Sequence, residues 1–127
     1  MTELRVRWGE VDGQEVVFNA NYLMYADVAV TEFMRGNGIM DHCRDEFGHT
    51  FVVDAHLTFK GSARFDDVLD LSVRCEKIGT SSYVLKVEMC RDGEVLCVAD
   101  MTYVRAVEGK AAALSEGFKA RLGLGDT

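Results

Sequence analysis

The sequence predicts an α+β fold, a long antiparallel sheet wrapped around one apolar helix. Three observations carry that prediction. The stretch from Ala20 to Arg35 is helix-length, and its only polar residues are Asn21, Asp27, Thr31, Glu32 and Arg35. Four downstream segments alternate apolar and polar residues with the period of two that marks a half-buried strand. The links between those segments are short, and Asp92-Gly93 is a tight-turn pair, so the strands follow one another as an antiparallel meander.

Each element has its own warrant. Glu3 to Trp8 reads as a first strand, with Leu4, Val6 and Trp8 on one face and Glu3, Arg5 and Arg7 on the other. Gly9 to Phe18 is a polar loop carrying Asp12. The helix follows from about Ala20, with Asn19 placed to cap it through its side-chain oxygen. Gly36-Asn37-Gly38 ends it, because these residues tolerate the left-handed cap. Ile39 to Gly48 reads as irregular with a short helical turn. The next strand puts Phe51, Val53, Ala55, Leu57 and Phe59 on one face. The following ones do the same for Leu69, Leu71, Val73 and Cys75, then for Tyr83, Leu85, Val87 and Met89, then for Val95, Cys97, Ala99, Met101 and Tyr103. A short helix is expected over Leu114–Leu122 with Ser115 near its start, and Gly123–Thr127 is expected to fray. With no repeat or linker, residues 1–127 are expected to form a single domain. One sheet face covers one flank of a helix. A helix apolar on nearly every side therefore calls for a second copy of the chain.

Composition narrows the partners. A chain of 127 residues can bury one substantial core. Its net charge of −7 argues against nucleic acid and anionic membrane as general partners, while leaving room for a local cationic patch. Met1–Arg7 is charged and too short for a signal peptide, and no apolar run approaches ~18 residues. Cys43, Cys75, Cys90 and Cys97 form no CxxC pair and read as free thiols, so a cytoplasmic location is expected. The absence of proline suits long strands, which need every ladder donor.

Several residues are candidates for chemistry. A helix start offers backbone N–H groups without internal partners at a positive dipole end, a place to hold a polarised carbonyl oxygen. Asp12, a few residues upstream, is either a carboxylate acting on that carbonyl or a turn aspartate bonded to its own backbone. Asn19 either caps the helix or also turns its amide toward a substrate. Tyr22, Tyr25, Met24 and Phe51 shape an acyl pocket or pack the core. Asp27 and Glu32 are carboxylates on a buried helix and need a partner or a task. Asp27 stands between substrate contact and interface pairing, and Glu32 reads as an interface pair. Glu10 and Glu15 read as solvated loop charges, with Glu15 the closer to function. His42, His49 and His56 show no metal spacing, so no metal site is expected. No serine elbow or phosphate-binding glycine loop is present.

The run Glu10-Val11-Asp12-Gly13-Gln14-Glu15-Val16-Val17-Phe18-Asn19-Ala20-Asn21-Tyr22 resembles hot-dog-fold acyl-CoA thioesterases of the 4-hydroxybenzoyl-CoA thioesterase type. These carry an aspartate loop after the first strand and then an Asn/His/Tyr-x-Asn-Tyr approach to the central helix. Leu57-Thr58-Phe59, Ala63 to Leu69 and Ile78 to Tyr83 resemble later strands and turns of the same family. The resemblance implies a homodimer or homotetramer with sites at the subunit interface. It implies hydrolysis of an acyl-CoA to a free carboxylic acid and coenzyme A, without a metal or redox cofactor. Asp12 falls on the family's nucleophile or general base and the Asn19 amide on its oxyanion contact, with Tyr22 and Asp27 toward the substrate. Coenzyme A is polyanionic and needs local cations, for which Lys60 and Arg64, flanking Gly61-Ser62, are the candidates. Glu15 departs from the family, where many relatives have glycine. Two other activities fit the same scaffold. A hot-dog dehydratase or hydratase needs a histidine paired with an acid, and none stands in the loop or helix. A non-catalytic acyl-thioester binding protein is the other.

Overall fold

A computed structural model describes residues 1–123. Its elements are β1 (Thr2–Arg5), α1 (Asn21–Gly36), α2 (Ile39–His42), α3 (Arg44–Gly48), β2 (Thr50–Phe59), β3 (Val68–Ile78), β4 (Ser82–Arg91), β5 (Glu94–Val107), β6 (Lys110–Ala111) and α4 (Glu116–Leu122). The sheet runs β1-β3-β4-β5-β2 with every pair antiparallel, and β6 pairs with β5. This is the expected α+β arrangement of helix and antiparallel sheet.

Alternation builds the sheet's inner face. Leu69, Leu71 and Val73 of β3 and Tyr83, Leu85, Val87 and Met89 of β4 are all buried. Asp92 and Gly93 adopt φ of 51° and 82°, the paired left-handed conformations of a two-residue hairpin turn. Helix α1 buries Tyr22, Tyr25, Ala26, Ala29, Val30, Phe33 and Met34 in the same core. Each such large side chain contributes roughly 1.5–3 kcal/mol on leaving water. The other flank of α1 exposes Leu23, Met24 and Val28. One sheet covers one side of this helix, as its composition required.

Other expectations need correction. The first strand stops at Arg5, because Trp8–Glu10 coils into a 3₁₀ turn. Trp8 swings outward, 64% exposed, and meets Phe65 edge-on at 5.1 Å. Phe51 and Val53 do not share a face with Ala55, Leu57 and Phe59. Val52 opposes Tyr103 and Asp54 opposes Thr102, so Val53 is an extra residue and the alternation changes phase there. β2 is the last strand of the sheet, and most of it is exposed. A second bulge lies in β5. Met89 pairs with Cys97 and Cys90 with Val95, so Leu96 is the extra residue; it is fully buried, while Val95 is half-buried. Asn19 makes no cap bond. Ala20 takes the cap position in helical conformation, and a tight turn closes the helix start, with Asn21 N–H donating to the Phe18 carbonyl and Tyr22 N–H to the Asn19 carbonyl. The last helix begins at Glu116, with the Ser115 hydroxyl accepting from Phe118 N–H at 3.2 Å. Ile39–Gly48 holds two short helices rather than one turn. Of the end expected to fray, residues 124–127 lie outside the described residues. Among the described residues no helix is long and apolar enough to cross a membrane.

Candidate active site

The loop after β1 is a small hairpin. Val11 bridges to Val17, Asp12 N–H donates to the Val16 carbonyl at 2.9 Å, and Glu15 N–H donates back to the Asp12 carbonyl at 2.9 Å. Glu15 has φ 61°, the left-handed conformation that closes a turn of this kind and that glycine usually supplies. Asp12 Oδ1 accepts from Gln14 N–H at 2.8 Å, an aspartate turn that fixes the carboxylate's orientation. Its Oδ2 has no protein donor among the described residues. The turn reading of Asp12 is met by one oxygen, and the other has no protein donor among the described residues.

The hairpin leads directly to the start of α1, and a pocket of about 230 Å³ opens there. The hairpin lines it with Asp12, Val16, Val17 and Phe18, the helix approach with Asn19 and Tyr22, and the opposite wall with Phe59, Gly61 and Ser62. That wall exists because of the Leu96 bulge. The Leu96 carbonyl accepts from Lys60 N–H at 2.8 Å and from Gly61 N–H at 3.1 Å. A Cβ on Gly61 would stand 2.8 Å from Leu96 Cδ2, so any larger residue here requires the Leu96 side chain to move. Arg91 Nη1 donates to the Ser62 carbonyl at 3.1 Å and to Asp67 Oδ2 at 2.8 Å, tying the wall to β4. Ala63 N–H donates to the Tyr22 hydroxyl at 3.0 Å, and the Tyr22 ring meets Phe59 edge-on at 5.3 Å. Burial pushes the Tyr22 phenol up, against the opposing Ala63 amide, so it stays neutral.

The fold thus brings Asp12, Asn19 and Tyr22 to one pocket. It does not bring the other three candidates there. Asp27 lies on the open flank of α1, in a separate hollow with Val28, Thr31, Glu32 and Arg35. Burial, and with it the Asp27 charge, pushes the Tyr103 phenol up. Arg64 lines a different hollow with Gln14, Glu15 and Phe65, and the Lys60 side chain is exposed outside the pocket.

Residues 6–122 match the sequence profile of the thioesterase-like superfamily. The chain belongs to that superfamily. Its fold is the hot-dog fold of solved thioesterases. It is similar to a hypothetical protein from Aquifex aeolicus, at 22% identity and a TM-score of 0.87 over 95% of this chain and 97% of that one. It is similar to a thioesterase from Thermus thermophilus complexed with coenzyme A and Zn, at 24% identity and 0.81 over 94% and 90%. It is also similar to a 1,4-dihydroxy-2-naphthoyl-CoA thioesterase from Synechocystis, at 18% identity and 0.79 over 95% and 93%. Membership of the thioesterase-like superfamily supports thioester hydrolysis as the general chemistry of this chain.

Sequence reasoning missed one prominent residue of this thioesterase-like chain. Glu10, read as a solvated charge, is 6% exposed. Its Oε1 accepts from Arg7 N–H at 2.9 Å and from the Tyr25 hydroxyl at 2.9 Å, and its Oε2 accepts from Arg7 Nε at 2.7 Å. Burial pushes this carboxyl up, but the Arg7 and Tyr25 donors outweigh it and hold the group below its ordinary value. No signal in the sequence marked it, because its partners Arg7 and Tyr25 come from two separate elements.

Proposed function

We propose that this protein hydrolyses an acyl-CoA thioester to a free carboxylic acid and coenzyme A. The observation that carries the reading is the single pocket joining an oriented carboxylate, Asp12, to the amino end of α1 at Asn19. The thioester carbonyl enters between them. Its oxygen is held by the Asn19 amide, for which no protein acceptor is found among the described residues, with the helix dipole adding positive potential. Asp12 Oδ2 either attacks the carbonyl carbon or takes a proton from the attacking water. The carbon–sulfur bond then breaks; on the nucleophilic route water next cleaves the acyl–Asp12 anhydride, releasing the acid and restoring the carboxylate. Coenzyme A departs as thiolate without a strong acid, since a thiol of pKa about 8.5 is a good leaving group. Nothing in this sequence of steps calls for a metal or a redox cofactor. Val16, Val17, Phe18, Tyr22 and Phe59 give the acyl group an apolar wall. Drug-sized ligands fill pockets of roughly 300–1,000 Å³, so about 230 Å³ takes the acyl head and leaves the coenzyme outside. Lys60 and Arg64, exposed near that wall, are the cations we assign to its phosphates. A solved thioesterase of the same fold holds coenzyme A, which agrees with this substrate class.

We also propose that the working unit is at least a homodimer. The exposed flank of α1 (Leu23, Met24, Val28) and the bare edge strand β2 (Phe51, Val52, Val53) leave apolar surface that a second copy would cover. Asp27 belongs to that partner-facing surface.

Thiol release from short, medium and aromatic acyl-CoAs tests the activity. At least one should be turned over. Tight binding with no turnover would instead identify an acyl-thioester binding protein. Water addition to or loss from an enoyl or hydroxyacyl chain, with the thioester intact, would identify a dehydratase or hydratase.

A further inference from the structure

We infer that Glu10 is a positioning residue for this site, acting through the pocket's backbone without touching the substrate; the inference rests on the hydrolase reading above. A buried carboxylate is retained only where its partners compensate the loss of water. Here the partners come from both sides of the catalytic loop. The Glu10 side chain ties Arg7, just before the loop, to Tyr25 on the second turn of α1. With its side chain thus fixed, its main-chain carbonyl accepts from Phe18 N–H at 3.1 Å, at the far end of the loop, and from Asn21 Nδ2 at 2.9 Å, on the first turn of the helix. One residue therefore closes the base of the Asp12 hairpin and clamps it to the helix start. Asp12 lies two residues after Glu10, and Asn19 lies between Phe18 and Asn21. Both groups assigned to the reaction are held between contacts that Glu10 makes. Its carboxylate borders a second hollow, with Arg7, Gly9, Asn21 and Met24, and not the pocket that holds Asp12. That separation is why it positions and does not react.

The test compares Glu10→Gln, Glu10→Ala and Tyr25→Phe with the wild type on the best acyl-CoA. Misplacing reacting groups by about 1 Å can cost ~10²-fold, so kcat should fall about 10- to 100-fold in Glu10→Ala, and less in Glu10→Gln, which keeps one acceptor oxygen. KM should change by no more than about threefold, because ground-state contacts are not removed. Leu114→Ala, in the core beside α4, controls for lost stability. It should lower the melting temperature without lowering kcat at a temperature where both variants are folded. In the Asp12→Asn background, Glu10→Gln should cause no further loss, since it acts through Asp12 and Asn19. Unchanged kcat in Glu10→Ala, or a full additional loss on top of Asp12→Asn, would overturn the inference while leaving the hydrolase reading in place. Amide hydrogen exchange gives an arm independent of turnover. Phe18 and Asp12 amides should exchange at least about tenfold faster in Glu10→Gln, as a local opening does. Unaltered exchange at both amides would overturn the inference even for a wild type that hydrolyses no thioester, an outcome that would by itself end the hydrolase reading.

Discussion

At the scale of single residues, Glu15 puts a side chain at a turn position that favours glycine. It occupies the left-handed conformation, with φ 61°, that glycine takes without strain. A side chain there costs roughly 1–2 kcal/mol, partly offset because glycine is more flexible when unfolded. Replacing Glu15 with glycine should therefore raise stability by up to about 1 kcal/mol, read as a higher urea midpoint at constant slope. Glu15→Val should lower it by more, since a β-branched residue resists positive φ. Equal midpoints for all three would mean that the turn does not hold this conformation. Glu10 was illegible for a different reason. Its burial depends on Tyr25 and Arg7 meeting it from two elements, and no local pattern encodes that meeting. The Asp12 turn was legible because it is local: an aspartate beside glycine makes its own turn.

Among the elements, regular alternation read true and irregularity did not. β4 buried the residues its period assigned and β3 did so as far as Val73, while Cys75 is half-buried beside an extra residue at Glu76; Asp92-Gly93 turned as its composition demanded. Two of the misread strands, β2 and β5, each carry one extra residue. Val53 in β2 and Leu96 in β5 shift the phase of a two-residue period, and a bulge leaves no mark in an apolar run such as Phe51-Val52-Val53 or Val95-Leu96-Cys97. The second bulge matters for the site. It frees the Leu96 carbonyl to receive two amides of the pocket wall, so a feature invisible in the sequence sets where Gly61 and Ser62 stand. The misassigned cap at Asn19 has the same root. The hairpin runs into the helix through a tight turn whose own carbonyls satisfy Asn21 and Tyr22, leaving the Asn19 side chain without that task.

Across the whole molecule, one side of α1 and most of the edge strand β2 are exposed. The proposed second copy would cover this exposed strand and the apolar helix flank. Light scattering should give at least twice the 14.1 kDa chain mass. Val28→Lys, placing a charge at the centre of the open helix flank, should shift the population toward monomer with the fold intact by circular dichroism. A wild type that stays monomeric at micromolar concentration would remove the second copy from the account. The remaining claim concerns what the chain does with its pocket. The most direct test compares wild type with Asp12→Asn on one hydrolysed acyl-CoA, following thiol release and, separately, binding of the same acyl-CoA. The account predicts binding within about threefold of wild type and a kcat lower by at least about 10²-fold, the size of loss expected for a general base or more for a nucleophile. Turnover that survives the substitution at near wild-type rate would contradict it.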